Sequence, residues 1–235
     1  MKNILIYVNP IKDWDSENKK LIKLQIDNSL ELGWDRKDIL LFTNFPYEYD
    51  GVVATIVPDN LFCPYFKQAS KINTILWMFE NNLIDDVYWF HDMEAFQNYP
   101  FKLDLPKDLY LTDYGYCERF NTGSFFFRKG ARKAFERIKE DSDEHQDGEE
   151  WALGRIHKEL DYELLNITYN FPGSVNANKN FEMIYNKTDL PVMVPHFHPD
   201  SRGGVFYRIM TGENALGVNV LSDRLIKHFN RYGWS

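Results

Sequence analysis

Asp92 and Glu94 end an apolar run: residues 87–94 read Val-Tyr-Trp-Phe-His-Asp-Met-Glu. Four consecutive apolar or aromatic residues predict a strand buried on both faces. If the backbone stays extended past Phe90, side chains at i and i+2 share a side. The two carboxylates would then converge at the strand's C-terminal end, where open α/β sheets bind ligands. Convergent carboxylates repel, and a hard divalent cation with oxygen ligands relieves that repulsion. The competing reading is a solvated acidic turn after a strand.

Other groups could join such a site. His196-Phe197-His198-Pro199 follows an apolar stretch, and two histidines at i and i+2 of an extended segment point the same way. Asp92, Glu94 and either His196 or His198 would make a mixed N/O site suited to Mn²⁺. Arg202 lies four residues after His198, beside Gly203-Gly204. An arginine loop next to a metal suits an anionic leaving group such as diphosphate. Lys71 is either a surface lysine or a point charge near phosphates. Asn121-Thr122-Gly123-Ser124 precedes Phe125-Phe126-Phe127. It is either an ordinary turn or a place where Gly123 lets a ligand approach the backbone and Asn121 hydrogen-bonds a polar substrate. Glu149 and Glu150 open a helix. They either complement its dipole or turn one carboxylate inward as a base or orienting group.

Stepwise alternation of patterns supplies the elements that hold these groups. Strands are expected at 3–8, 38–42, 52–57, 86–90, 109–112, 124–127, 164–169 and 191–194. Helices are expected at 18–32 (with Gly33 as stop), 66–83, 131–139, 149–160 and 215–231. Strand and helix alternate in the first half, which predicts an α/β fold with a mostly parallel sheet and crossover helices. With no repeat, low-complexity tract or linker, residues 1–235 read as one domain carrying a C-terminal helix at about 215–231.

Composition narrows the classes. The chain has 235 residues, 44% hydrophobic, with a formal net charge of −8. A generic nucleic-acid footprint is basic, so the charge argues against one. No apolar stretch reaches the length of about 18 residues that spans a bilayer. The N-terminus enters a strand rather than a signal peptide. Cys63 and Cys117 are too few for a disulfide framework or zinc cage and suit a reduced, cytoplasmic setting. There is no Gly-x-Ser-x-Gly elbow, Cys-His signature, Walker A segment or Gly-x-Gly-x-x-Gly, which removes the common hydrolase, kinase and Rossmann-oxidoreductase readings.

The order of motifs resembles one family. An apolar strand runs into His91-Asp92-Met93-Glu94. Asn121-Thr122-Gly123-Ser124-Phe125 follows, then Glu149-Glu150, Leu165-Asn166, Tyr169-Asn170 and His196-Phe197. Over roughly residues 1–200 this resembles the nucleotide-diphospho-sugar glycosyltransferases of the GT-A fold, in particular the glycogenin-like and lipopolysaccharide-galactosyltransferase-like group. The resemblance implies a GT-A-like fold with a mostly parallel central sheet flanked by helices. It also implies hexosyl transfer from a nucleoside-diphosphate donor, such as a UDP-sugar, to a glycan or other hydroxyl acceptor, with Mn²⁺ or Mg²⁺. Metal ligands would be Asp92, Glu94, His196 and His198. Val8, Asn9, Lys71, Gly123 and Arg202 would hold the donor, and Glu149, Glu150 and Asn121 would serve the transfer. The chain departs from the group in carrying Glu94 for Asp, a Glu-Glu pair, and His198 and Arg202 where relatives usually have Gly and Lys. A modified DNA acceptor is disfavoured by the acidity, and the C-terminal helix could serve a homodimer. The alternatives are a non-catalytic sugar-nucleotide or carbohydrate-binding protein on the same fold, and, more weakly, a nucleotidyltransferase or phosphohydrolase.

Overall fold

The computed structural model describes residues 1–197 and 205–233. His198, Arg202 and the Gly203-Gly204 pair lie outside the described residues. The chain opens with strand β1 (Lys2–Tyr7) and helix α1 (Ser16–Glu31). Asp15 caps that helix by accepting from the backbone of Glu17 and Asn18. Strand β2 (Ile39–Thr43) is followed by three two-residue strands, β3 (Glu48–Tyr49), β4 (Val52–Val53) and β5 (Thr55–Ile56). Then come α2 (Ser70–Glu80), β6 (Tyr88–His91), β7 (Leu109–Asp113) and β8 (Phe120–Phe127). Helices α3 (Arg132–His145) and α4 (Glu149–Ile156) lead to β9 (Glu163–Leu164) and β10 (Phe171–Gly173). The remainder is α5 (Val175–Lys179), α6 (Phe181–Asn186), β11 (Pro195–Phe197), α7 (Val205–Met210) and α8 (Asp223–Arg231).

Seven strands form one sheet in the order β5-β2-β1-β6-β8-β7-β9. Strand β1 pairs parallel with both β2 and β6, and the two edge pairs β2–β5 and β7–β9 are also parallel. Strand β8 runs antiparallel to both its neighbours. The expected mostly parallel α/β sheet is therefore present, with one reversed strand at its centre. Every residue of β6 and β8 is buried. That explains why both read as continuous apolar runs rather than alternations. Phe125 and Phe127 pack on the α2–α3–α4 side, where Phe127 meets Phe135 at 5.1 Å between ring centroids. Phe126 points the other way, toward Trp89 and Phe101. After β1 the chain builds outward through β2, then returns to the other side of β1 with β6. The C-terminal ends of β1 and β6 thus flank the point where strand order reverses, the place where such sheets bind ligands.

Several boundaries differ from expectation for local reasons. The helix expected over 66–83 is α-helical only from Ser70 to Glu80, because Phe66 is extended (φ −149°, ψ 93°) and Asn82 has φ 55°. The strand expected over 164–169 ends at Leu164, since the Asn166 side chain accepts from the Thr168 backbone and winds 167–170 into a 3-10 turn. The strand expected over 191–194 sits at Pro195–Phe197, paired with β10. The C-terminal helix begins at Asp223, not 215. Asn214 wraps its amide around 214–218, Gly217 adopts φ 66°, and Ser222 caps the helix through Leu225. Helix α3 runs past 139 to His145, its acidic end braced by Lys139–Asp143. Among the described residues no helix is long and apolar enough to cross a membrane.

Arg155 locks α4 against the end of α3. Its guanidinium donates to Asp141 Oδ1 at 2.7 Å and, bidentately, to Asp147 at 2.7 and 2.8 Å. The Asp141 side chain is nearly buried, so removing the arginine strands a carboxylate in the interior. These bonds also hold the Asp147 carboxyl below its ordinary range. A depressed carboxyl stabilises the fold above its unfolded pKa of about 3.9 and loses that contribution as pH falls. Arg155→Ala should cost about 2 kcal/mol in urea unfolding at pH 7, discounted for its partial exposure. The deficit should shrink below about pH 4, and an equal deficit at pH 3 would contradict the assignment.

Candidate active site

Past β6 the backbone turns instead of staying extended. Ala95 N–H donates to Asp92 C=O at 3.0 Å, and the imidazole of His91 reaches Ala95 C=O at 2.8 Å. Burial holds His91 down to about 4, so its ring is neutral and able to donate at Nδ1. Asp92 and Glu94 therefore meet the same cavity from a turn, not from one face of a strand as expected. The reason is long-range pairing. Phe197 N–H donates to Glu94 C=O at 2.9 Å, Phe96 N–H donates to Pro195 C=O at 3.0 Å, and Ala95 bridges antiparallel to His196. The turn and β11 are stitched together by backbone bonds.

That stitching brings His196 Nε2 to 3.9 Å from Asp92 Oδ2. The other ring nitrogen, Nδ1, lies 3.0 Å from Asn170 Oδ1. The Asn170 amide in turn donates to Thr112 Oγ1 at 2.9 Å and Asn121 C=O at 2.8 Å. With its amide nitrogen committed to acceptors, Asn170 presents its oxygen to the ring. Nδ1 must carry a proton, which leaves Nε2 as the nitrogen that faces Asp92. Gly123 makes this possible: a Cβ there would stand 1.9 Å from His196 Cε1. The glycine thus admits a protein side chain, where a ligand had been expected. Asn121 is buried beneath, with Oδ1 accepting from Gly123 N–H and Nδ2 unpartnered among the described residues, and lines neither of the two cavities described below.

Lys71 is the buried cation of the site, 5% exposed. Its ammonium lies 2.9 Å from Glu149 Oε1 and 3.4 Å from Asp92 Oδ1, and donates to Thr122 C=O and Oγ1, each at 3.0 Å. Burial favours the neutral amine, but Asp92 and Glu149 outweigh it and hold Lys71 above the usual lysine range. The balance runs the same way for Glu149. Burial opposes its charge, yet Lys71 and the Thr122 hydroxyl keep it below the usual carboxylate range. Glu150 is pushed up by burial and by the charge on Glu149. It accepts from Tyr114 Oη at 3.1 Å and Thr122 N–H at 3.1 Å, and pairs with Arg119 at 3.0 Å. The two glutamates thus have separate duties, and Oε2 of Glu149 is a buried carboxylate oxygen with no hydrogen-bond partner among the described residues.

Two cavities meet at this cluster. The first, about 380 Å³, runs from the C-terminal end of β1 to Asp92 and is lined by Val8, Asn9, Lys67 and Lys71 among others. Asn9 is fixed by its own bonds, donating to Tyr7 Oη at 2.8 Å and accepting from Ile11 N–H at 2.9 Å. The second, about 200 Å³, extends past Asp92 and Glu94 to His196, Glu149, Glu150 and Trp151. Gln68, Lys71, Asp92 and Glu94 line both. Sequence reasoning missed Lys67, Gln68, Tyr114, Arg119, Trp151 and Asn170. Only Asn170 carried a signal, through its place in the ordered motif set. Among the described residues no group of three or more His, Cys, Asp or Glu is arranged to hold a metal ion.

No family model and no curated protein matches the sequence. Solved structures do resemble it. The glycosyltransferase GlyE of Streptococcus pneumoniae TIGR4 superposes with a TM-score of 0.60 at 14% identity, over 97% of this chain and 60% of that one. This chain therefore spans well under two thirds of GlyE. The galactosyltransferase LgtC, in complex with donor and acceptor sugar analogs, gives 0.58 at 13% identity over 97% of this chain and all of that one. A glycosyltransferase involved in glycosylation of the major capsid of PBCV-1 gives 0.51 at 10% identity, over 83% and 92%. The fold is that of the GT-A glycosyltransferases.

Glycine offers a clean test of this packing. Gly123→Ala should cost about 1–3 kcal/mol, because His196 has nowhere to move within a buried pair of strands. Gly154→Ala, on α4 with nothing near its added methyl, should stabilise by up to about 1 kcal/mol. Thermal melts of the two variants would expose the error if both behaved alike.

Proposed function

We propose that this chain transfers a sugar from a nucleoside-diphosphate donor to a hydroxyl acceptor. The reading is carried by one observation: Asp92 Oδ2 and His196 Nε2 face each other at 3.9 Å where the two cavities join. The first cavity lies at the strand-order reversal and has the size for a nucleotide, with Lys67 and Lys71 on its wall. The second, smaller cavity carries the carboxylates that a sugar's hydroxyls need.

The donor set fits a divalent cation of the Mn²⁺ or Mg²⁺ kind. The Nδ1 of His196 is taken by Asn170, which leaves Nε2 as the nitrogen toward Asp92, and the carboxylates of Asp92, Glu94, Glu149 and Glu150 line the second cavity. Asp92 and His196 would hold the ion, with Glu94 beside them and the donor diphosphate completing its shell. Bound there, it would neutralise charge on the departing diphosphate. The chain's own residues do the rest. Lys67 adds positive charge along the first cavity. Lys71 stays protonated and holds Asp92, Thr122 and Glu149 in register. Glu149, kept ionised by Lys71 and the Thr122 hydroxyl, is only a weak base. Glu150 braces Tyr114, Thr122 and Arg119.

Calorimetry with UDP and Mn²⁺ tests the reading without requiring turnover. Asp92→Ala and His196→Ala should each weaken Mn²⁺-dependent UDP binding at least tenfold, and Asn170→Ala, which acts through His196, by about tenfold. Hydrolysis of UDP-glucose or UDP-galactose should fall in parallel. Full activity in variants lacking the carboxylates of Asp92 and Glu94 would reject the metal role. Binding without turnover across a donor panel would support a non-catalytic sugar-nucleotide protein instead.

A further inference from the structure

We propose that the second cavity receives the acceptor, that the acceptor is a glycan, and that one of its pyranose rings lies on the exposed ring of Trp151. The proposal rests on reading the first cavity as the donor site. Trp151 follows Glu149 and Glu150 in the first turn of α4, so an indole and two carboxylates leave one turn of backbone together. The Arg119 guanidinium stands 4.3 Å from the indole centroid and covers one face. Trp151 is nevertheless 52% exposed at the edge of this cavity, so Arg119 leaves much of the ring uncovered.

The ring is backed as well as exposed. Arg119 is pinned by Glu150 at 3.0 Å and lies 5.8 Å from the Tyr114 ring. Glu150 is itself held by the Tyr114 hydroxyl and Thr122 N–H. The platform is therefore set before any ligand arrives, which lowers the ordering cost of binding. A ligand for this lip needs an apolar face for the indole and an edge of hydroxyl donors for the carboxylates that line the cavity below. A pyranose ring has both. A nucleic acid also offers rings to stack, but its phosphates would meet the carboxylates that line this cavity, on a chain of net charge −8.

The test uses the full chain labelled with 5-fluorotryptophan, whose six tryptophans give ¹⁹F resonances, with Trp151→Phe assigning the one of interest. Lactose, maltose and a single-stranded oligodeoxynucleotide are titrated with and without UDP and Mn²⁺. A disaccharide should shift the Trp151 resonance. By calorimetry Trp151→Ala should weaken that disaccharide about tenfold, while Trp151→Phe, which keeps a ring, should weaken it about threefold or less. Saccharides that leave the resonance unmoved, that bind Trp151→Ala as well as the parent, or that are outdone by the oligonucleotide would each overturn the proposal. Failure of UDP to bind would count against the donor site alone, because the saccharide titration without UDP reads Trp151 independently.

Discussion

A single buried ammonium organises this site. Lys71 comes from α2, yet it touches the β6 turn through Asp92, β8 through Thr122 and α4 through Glu149. Each carboxylate would be costly to bury alone, and the lysine would shed its proton in an apolar interior. Together Lys71 and Glu149 hold each other charged, while burial still pushes Asp92 up. Removing the cation would leave the carboxylates of the β6 turn and α4 uncompensated, so the relative placement of α2, α4 and the sheet depends on it.

A second constraint is made of backbone. Residues 94–96 pair with 195–197, and β11 pairs with β10, which follows directly from Asn170. Asp92, His196 and Asn170 are thereby fixed by a strand ladder rather than by mobile loops. Gly123 completes the arrangement from the other side, since only the smallest residue leaves room for the imidazole against β8. Main-chain bonds set the coarse position, and one missing methyl group sets the fine one.

The same economy separates the adjacent glutamates. Glu149, 2% exposed, is turned to Lys71 and Thr122. Glu150, one residue on and about 100° around the helix, reaches Tyr114 and Arg119 instead. Arg155 holds the helix that carries both, through Asp141 and Asp147. A surface clamp and a buried cation thus act on opposite ends of one short helix and hold each carboxylate to its own partners.

Much of this was legible in the residues themselves. The apolar runs at 87–90 and 125–127 announced central strands, because burial on both faces leaves no polar alternation. Asp92, Glu94, Lys71, Glu149, Glu150 and His196 stood out as residue types that could do chemistry at strand ends or helix starts, and all six line one cavity. What sequence could not decide was whatever depends on partners distant along the chain. The turn at 92–95 follows from pairing with β11, a hundred residues away. The role of Gly123 depends on where His196 lies, and the duties of Glu149 and Glu150 depend on Lys71 and Arg119. Residue types and local periodicity determine which side chains can do chemistry and which segments are buried. Tertiary structure alone decides which of them face one another, because a charge or a missing side chain acquires its role from the groups packed against it.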